Sequence, residues 1–457
     1  MQQNPGSFRD PSGSVYETED GIVRTVNEQY KPHFELLIKS GLYKKLVDKN
    51  YILSFTERED KPDPPVWKML CVEKLPVISY PYEWSFQQLK DAAILTLRIQ
   101  HEALKHGLVL KDATAYNVQF FKGKPVFIDL LSFEEYKEGE PWIAYRQFVQ
   151  HFVGPLLLMS RKDIRYGILF RNFLDGFPVD FIANNLPWSS RWSPSIYVNV
   201  HLHAKMIKKY EDTHTEFKER KTTGSVSLKG LQNMTEGLFT LVNGIKNPLV
   251  STEWGDYYND TNYDDAAFRE KGALIEKITE KFKPCKTVDL GANLGEFSRI
   301  FAKHSGIVLS PDIDPVAVNK NYLLVAKNKE HNIYPLVQDL TNPSPGIGWM
   351  NEERASFVDR AKCDLAAGLA LIHHLCIGNN VPLDKVAVMF RKLSDKAIVE
   401  FVPKEDSQVK RLLSSREDIF PDYDLGHCIE AFGKHYPHCE QIPIAGTCRT
   451  LLVFSQV

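Results

Sequence analysis

The C-terminal half of the chain predicts an α/β fold on a mostly parallel sheet, and the N-terminal half predicts an α+β fold. In the C-terminal half, short apolar runs alternate with helical patterns, which is typical of parallel strands covered by helices. The last two runs are separated only by Ala445-Gly446-Thr447, so they form a hairpin and make the end of the sheet antiparallel. In the N-terminal half, short strands come first and helices follow, which favours an α+β domain.

Composition and charge narrow the class of protein. The 457 residues are 43% hydrophobic and 25% charged, with a net charge of −2, so we expect neither nucleic acid nor a membrane as a partner. Seven cysteines without a Cys-x-x-Cys pair favour a reducing compartment. The first ten residues have no apolar core, and the apolar stretch 152–159 is too short to span a bilayer. We therefore expect a soluble cytoplasmic protein.

Two polar breaks divide the chain. The first is KERKTTGSVS at 218–227 and the second is NGIKNP at 243–248. The prediction is an N-terminal domain over 1–217, a linker with a connecting helix over 218–250, and a C-terminal domain over 251–457.

The expected elements follow from periodicity. Strands in the C-terminal half are predicted at 286–291, 306–310, 333–338, 363–370, 397–402, 442–444 and 449–454, with a helix after Gly295. In the N-terminal half we expect strands near Val15 and at 22–26, 68–72 and 77–80, and helices at 28–46, 85–106 and 203–217.

The segment TVDLGANLGEFS carries the first candidate site. An apolar strand ends near Asp289, and a turn from Gly291 through Asn293 to Gly295 opens a helix. Glycines let the backbone approach a ligand closely, and a helix N-terminus offers free amides. This order of strand, glycine turn and helix is typical of a nucleotide-cofactor site.

Acids at the ends of the next two strands extend this site. Asp312 is placed to accept hydrogen bonds from ribose hydroxyls, and Asp314 is the alternative, with a helix N-cap as its structural role. Asp339 follows the third strand and is placed to accept from an adenine amino group, the alternative being a cap of its own turn.

Asp289, Gly291, Gly295, Asp312 and Asp339 together resemble the cofactor motifs of class I S-adenosylmethionine (SAM) dependent methyltransferases, over 251–457. The resemblance implies a Rossmann-like domain with a mostly parallel seven-stranded sheet and an antiparallel last strand. It also implies that Asp289 and the Gly291–Gly295 turn, with Asn293, hold the methionine moiety of SAM, Asp312 the ribose and Asp339 the adenine. NAD is the competing cofactor, but the Gly-x-Asn-x-Gly turn and the terminal hairpin favour SAM.

The resemblance also suggests His373 or His374 near the methyl acceptor, because LALIHHL follows the fourth strand. Histidine suits a general base, and the alternative is one packing and one capping residue. The acceptor is unidentified: a hydroxyl or phosphate of a sugar or small metabolite, or a glycan.

Other segments carry weaker hypotheses. WGDYYNDTNYDD (254–265) is interpreted as a lid or a lead-in helix, and Glu400, Lys404 and Glu405 as an acceptor-selecting or a solvated loop. The His and Cys residues between 427 and 439 match no zinc spacing and are interpreted as a surface loop, so no metal is expected in the C-terminal domain.

In the N-terminal half, Asp112, Asn117 and Asp129 resemble the catalytic loop and metal-binding aspartate of protein-kinase-like and aminoglycoside-phosphotransferase-like domains. The resemblance implies that Asp112 orients an attacking hydroxyl while Asn117 and Asp129 hold Mg²⁺ on ATP. Arg24 stands where those domains have a strand lysine, and Leu130-Leu131 replaces Phe-Gly after Asp129. The alternative is a polar turn between two strands.

The sequence thus predicts a SAM-dependent methyltransferase preceded by a kinase-like domain. Two alternatives stay open for the whole chain. One is a bifunctional kinase-methyltransferase that modifies a glycan end, and the other is a methyltransferase whose N-terminal domain senses ATP or docks a substrate without catalysis.

Overall fold

A computed structural model describes residues 2–18, 21–59, 63–212, 225–248, 265–414 and 416–456. The chain forms two compact units. The first comprises Met1–Leu249 with Ile347–Arg354, and the second comprises Val250–Gly346 with Ala355–Val457.

The first unit begins with a five-stranded antiparallel sheet of order β1-β2-β3-β5-β4. Its strands are β1 (Gln2–Gln3), β2 (Val15–Thr18), β3 (Gly21–Asn27), β4 (Phe55–Glu57) and β5 (Val66–Val72). Helices α1 (Lys31–Lys39) and α2 (Leu42–Asp48) connect β3 to β4. The sequence predicts one helix here, but Gly41 has φ +77° and ends the first helix before the second begins.

A long helix, α3 (Phe86–Lys105), follows the sheet and is capped by Ser85, whose hydroxyl accepts from the Gln88 amide. Two small antiparallel pairs come next, β6 with β9 and β7 with β8. Their strands are β6 (Leu108–Leu110), β7 (Val118–Phe121), β8 (Lys124–Phe127) and β9 (Phe133–Glu135). The other α-helices in the described part of the unit are α4 (Tyr145–Phe148), α5 (Gly154–Arg161), α6 (Val179–Asn185), α7 (Pro194–Ile196), α8 (His203–Asp212) and α9 (Leu228–Gly244).

The strand predicted at 77–80 is wrong. The amide side chain of Gln119 takes the place of a neighbouring strand there: its oxygen accepts from the Ser79 amide at 2.9 Å and its nitrogen donates to the Ser79 carbonyl at 2.9 Å. A buried side chain therefore satisfies the backbone that a sheet would otherwise pair.

The second unit contains the large mixed sheet that the sequence predicts. Its seven strands lie in the order β12-β11-β10-β13-β14-β16-β15. They are β10 (Lys286–Leu290), β11 (Ile307–Asp312), β12 (Ile333–Val337), β13 (Leu365–Gly368), β14 (Lys396–Phe401), β15 (His438–Pro443) and β16 (Thr450–Ser455). Strand β16 runs antiparallel to both of its neighbours, β14 and β15, and the edge of the sheet is formed by β15 instead of β16.

Helices cover the sheet, and α10 (Asp265–Phe282) leads into it. The others are α11 (Glu296–Ala302), α12 (Pro315–Asn328), α13 (Phe357–Arg360), α14 (Leu383–Leu393), α15 (Ser407–Leu413) and α16 (Leu425–Gly433). The strands β12 and β13 are buried along their whole length, as expected of parallel strands with both faces covered. Ile275 of α10 and Phe301 of α11 pack in one core cluster with Val308, Leu365 and Ile398.

The interpretation of 427–439 as a surface loop is wrong. His427 and Cys428 lie in α16, and His438 and Cys439 begin β15. In the described residues no group of three or more His, Cys, Asp and Glu side chains is arranged to hold a metal ion. None of the described helices is long and apolar enough to cross a membrane.

Candidate functional site

A cavity of about 330 Å³ lies at the carboxyl ends of β10, β11, β12 and β13. Sites in sheets of this kind form at these strand ends. The cavity brings together six residues that the sequence singles out: Asp289, Gly291, Asn293, Asp312, Asp339 and His374. Gly295 and His373 do not line it.

The glycine turn shapes the cavity wall. Gly291 and Gly295 have φ of +73° and +78°, and Asn293 has φ +52°. The amide N–H groups of the turn all donate within the protein, for example Gly291 to the Pro311 carbonyl and Asn293 to the Asp312 carboxylate. The turn therefore contributes a close backbone surface, and not the free amides that the sequence suggests.

Gly295 serves packing beneath the cavity. A Cβ at this position would lie 2.5 Å from Oδ1 of Asn321, which is fully buried and donates to Ser310 Oγ at 2.9 Å. Ser310 in turn contacts Ser298, whose hydroxyl donates to Asp289. Gly295 thus leaves room for the polar side chains that lead to Asp289.

We expect Gly295→Ala to lower the free energy of unfolding by about 2–4 kcal/mol, since it adds a left-handed backbone penalty to a steric clash. Gly433→Ala in α16 is the matched control, because a Cβ there meets nothing within 4 Å. Denaturant unfolding of the full chain checks both variants. Equal stability of the two would contradict the packing role of Gly295.

Asp289 is a buried carboxylate, and one of its two oxygens accepts a hydrogen bond from the protein. Oδ2 accepts from Ser298 Oγ at 2.6 Å, and within the described parts of the chain Oδ1 has no hydrogen-bond partner. Burial raises the pKa of Asp289 to about 7, although Ser298 and the nearby Lys271 work in the opposite direction. A cationic ligand group in the cavity would relieve this penalty.

The structure separates the two candidates after β11. The Asp312 carboxylate accepts from the Asn293 amide at 2.8 Å and the Asp314 amide at 2.9 Å, and it lines the cavity. Asp314 caps α12 by accepting from the Val316 amide at 2.8 Å, and it does not line the cavity. Burial raises the pKa of Asp312 to about 6.

Asp339 caps its own turn, which is one of the two roles considered from the sequence. Its Oδ1 accepts from the amide and the hydroxyl of Thr341 at 2.8 and 2.7 Å, which fixes the turn after β12. The residue also lines the cavity. No described residue donates a hydrogen bond to its Oδ2, so one oxygen is left for a ligand.

The two histidines differ in position. His374 lines the cavity, and burial lowers its pKa to about 4, so its imidazole is neutral at physiological pH. His373 is 1% exposed, and neither of its ring nitrogens has a hydrogen-bond partner among the described residues. His373 packs against His374, with ring centroids 4.0 Å apart and the rings tilted by 40°, which is the packing role considered from the sequence.

A buried network of charges lies beside the cavity. Lys271 of α10 pairs with Glu400 at the end of β14 at 2.5 Å, and Arg449 pairs with Glu400 at 3.1 Å and with Asp406 at 2.8 Å. Lys271 lines the cavity, while its ammonium lies 4.1 Å from the ring centre of Phe297. Burial lowers the pKa of Lys271, and Glu400 counteracts this.

Sequence reasoning missed Lys271 and Arg449 and placed Glu400 in a loop. A signal for Lys271 exists: it lies four residues from both Ala267 and Ile275, which are buried on one face of α10. A lysine within an apolar helix stripe indicates a buried partner.

Lys404 forms an ion pair with Asp418 near the surface, which agrees with the interpretation of this segment as a solvated loop. The segment 254–265, which is interpreted from the sequence as a lid or a lead-in helix, lies outside the described residues except for position 265.

The first unit gathers the second set of candidates. Arg24 on β3 forms an ion pair with Oδ1 of Asp129, and the Ser132 hydroxyl donates to Oδ2 of Asp129. Asn117 donates to Ser132 Oγ at 3.2 Å, and its side chain works to lower the pKa of Asp112. Burial raises the pKa of Asp112, and the charge of Asp129 adds to this.

Two further residues of this cluster were not foreseen. Asp10 lies 3.8 Å from Arg24 and 3.9 Å from Lys111, and Lys111 donates to Ser12 Oγ at 2.8 Å. The Arg24 guanidinium pairs with Asp129, so Mg²⁺ at this carboxylate would have to displace a cation that the protein itself supplies.

Comparison with known proteins gives one relative in sequence. Nodulation protein NoeA from Rhizobium meliloti (strain 1021) is 33% identical over 458 residues, covering 99% of this chain and 95% of that protein. No family model matches the chain.

Three similar solved structures each match less than half of the chain. The bifunctional kinase-methyltransferase WbdD matches 44% of this chain and 42% of its own, with 17% identity and a TM-score of 0.32. The N-methyltransferase NodS from Bradyrhizobium japonicum WM9 matches 42% of this chain and 97% of its own, with 14% identity and a TM-score of 0.30. A SAM-dependent methyltransferase from Aquifex aeolicus matches 45% and 100%, with 13% identity and a TM-score of 0.32. On the full-length sequence match, the chain belongs to the NoeA family of nodulation proteins.

Proposed function

We propose that the second unit is a SAM-dependent methyltransferase whose acceptor group is a hydroxyl. The observation that carries the proposal is that Asp289, Gly291, Asp312, Asp339 and His374 line one cavity at the ends of parallel strands. Asp289 offers a carboxylate oxygen to the ammonium of the methionine moiety, Asp312 accepts from the ribose hydroxyls and Asp339 accepts from the adenine amino group. SAM supplies an electrophilic methyl group when bound.

The lining of the cavity favours a neutral acceptor. Among the described residues that line it, Lys271 is the only cation, and Glu400 already pairs with it. A phosphate acceptor would call for an arginine or lysine able to turn toward it. The neutral His374 can orient a hydroxyl and take up its proton as the methyl group is transferred. Leu369, Leu371 and Leu375 supply apolar walls beside it.

Transfer of a labelled methyl group tests this proposal. The full chain is incubated with methyl-tritiated SAM and a panel of mono- and oligosaccharide acceptors with free hydroxyls. We expect label in an acceptor and a fall of about 10²–10⁴-fold in turnover for His374→Gln, with unchanged affinity for the cofactor. His373→Gln is the matched control and should keep more activity. Transfer only to phosphorylated acceptors, or full activity of His374→Gln, would contradict the hydroxyl assignment.

Cofactor affinity should depend on pH through Asp289. Its carboxyl is largely protonated in the free protein below its pKa of about 7, whereas the ligand ammonium binds the ionised form. We expect the affinity for S-adenosylhomocysteine to rise about tenfold between about pH 6 and pH 8. The stability of the ligand-free protein depends on pH with the opposite sign. Because burial raises the pKa of Asp289, this residue lowers the free energy of unfolding as the pH rises through about 7.

Calorimetric titrations at both pH values measure this effect. Methylthioadenosine, which lacks the ammonium, is the matched ligand and should show a smaller dependence that comes from Asp312. Equal pH profiles for the two ligands would contradict contact between Asp289 and the ammonium.

For the first unit we propose a kinase-like domain that binds a nucleotide without phosphotransfer. The support is the cluster of Asp112, Asn117, Asp129 and Arg24, in a unit that begins with a five-stranded antiparallel sheet and continues with a long helix. The ion pair between Arg24 and Asp129 favours binding over transfer, because Arg24 competes with Mg²⁺ for this carboxylate.

Labelled ATP with Mg²⁺ separates these alternatives. We expect ATP to raise the melting temperature of the full chain with no phosphate release above that of Asp129→Ala. Transfer that depends on Asp129 would favour the bifunctional kinase-methyltransferase instead.

The name of the relative associates that protein with nodulation, and we propose that this chain acts in the same process. Expression of this chain in a Rhizobium meliloti strain that lacks the relative tests this. Restored nodulation by the wild-type chain and not by Asp312→Asn would support a role that depends on the cofactor site.

A further inference from the structure

A tryptophan pair stands out on the surface of the first unit. Trp188 and Trp192 lie in one short helical turn, with 64% and 73% of their surfaces exposed. Their rings are 5.3 Å apart and nearly perpendicular. Exposed tryptophan is uncommon on soluble surfaces and is enriched where proteins meet the interface of a lipid bilayer.

An apolar stripe continues this surface along the π-helical segment Tyr197–Leu202, which joins α7 to α8, and into α8. Val198, Leu202 and Met206 lie one turn apart, and their exposed fractions are 53%, 38% and 49%. Ser190, between the two tryptophans, is hydrogen-bonded to His201 at 2.7 Å, so the turn is held against this helix. We call Trp188, Trp192, Val198, Leu202 and Met206 the tryptophan face.

The charged residues along the segment that carries the tryptophan face have one sign. Between Asp180 and Glu211 the sequence has four basic residues and no acidic residue. The basic residues are Arg191, Lys205, Lys208 and Lys209, and all four are exposed. This local excess contrasts with the net charge of −2 of the whole chain.

We propose that the tryptophan face docks the protein on an anionic lipid surface. Indole rings and aliphatic side chains would enter the interfacial layer, while the lysine and arginine side chains would contact the lipid phosphates. The combination of exposed apolar side chains with basic charge and no acid is complementary to an anionic bilayer. The net charge of the whole chain led us to expect no membrane partner, whereas this proposal rests on the local charge and the exposed apolar side chains.

Vesicle sedimentation with the full chain tests the proposal. We expect the protein to sediment with vesicles of phosphatidylcholine and phosphatidylglycerol at low salt, and not with phosphatidylcholine alone. Trp188→Ser with Trp192→Ser should lower partitioning by about tenfold or more. Lys205→Gln and Lys208→Gln should each lower it by about fivefold, and added salt should weaken binding.

Trp349→Ser is the matched control, because Trp349 is 68% exposed but lies outside the tryptophan face. We expect this control to bind vesicles like the wild type, and unchanged melting temperatures to show that all variants fold. Wild-type protein that stays in the supernatant with anionic vesicles would overturn the proposal, as would wild-type binding by the double tryptophan variant. Self-association that the double variant abolishes, without vesicle binding, would assign the face to a second copy instead.

Discussion

Replacing Asp312 by asparagine is expected to weaken the binding of S-adenosylhomocysteine by at least about 100-fold. The Asp312 carboxylate already accepts from the amides of Asn293 and Asp314, and its remaining lone pairs face the cavity. Hydrogen bonds to a charged group contribute about 1.5–3 kcal/mol each, so losing two ribose contacts costs about 3 kcal/mol or more. Calorimetry at about pH 8, where Asp312 is ionised, measures the loss.

Asp314→Asn is the matched control for this experiment. It makes the same chemical change two residues away, and asparagine caps a helix about as well as aspartate. We expect its affinity to stay within a few-fold of the wild type. Equal losses in the two variants would mean that the loop, and not the Asp312 carboxylate, determines binding.

Replacing Lys271 by methionine is expected to lower the free energy of unfolding by about 3–5 kcal/mol. Glu400 is fully buried and would lose one of its two cationic partners, while the other, Arg449, is already shared with Asp406. For a unit of this size the loss corresponds to a fall in melting temperature of about 10 °C. Thermal unfolding followed by circular dichroism measures it.

Two further variants show whether the loss of stability comes from the buried charge of Glu400. Lys303→Met removes a lysine whose pair with Glu276 is exposed to solvent, and it should cost no more than about 1 kcal/mol. Adding Glu400→Gln to Lys271→Met removes the uncompensated charge and should recover part of the stability. A double variant less stable than Lys271→Met alone would contradict the account.

The sequence predicts the second unit well because its strands are short, apolar and regularly spaced. The strand ends of β10 and β11 place Asp289 and Asp312 at the same edge of the sheet, and local reasoning suffices for that. The choice between Asp312 and Asp314 requires the structure, since either residue can cap α12 or face a ligand.

Long-range pairing explains what the sequence does not predict. Lys271 and Arg449 lie far apart in the chain from Glu400, so only the folded sheet brings them together. Ser79 is paired by a side chain from residue 119, which no local periodicity encodes. The sequence shows a glycine at position 41 but does not show that its backbone is left-handed. This conformation divides the helix predicted over 28–46.

The first unit shows the same limit. The sequence places Asp112, Asn117 and Asp129 near each other because they lie in consecutive loops, and Arg24 follows from its strand position. The occupation of both Asp129 oxygens depends on Arg24 and Ser132 together, which a motif comparison does not contain.

One titration tests the central claim directly: S-adenosylhomocysteine and, separately, NAD are titrated calorimetrically into the full chain at about pH 8, where Asp289 and Asp312 are ionised. We predict saturable binding of S-adenosylhomocysteine at one site per chain and no heat from NAD. No uptake of S-adenosylhomocysteine, or tighter binding of NAD, would contradict the assignment of this cavity.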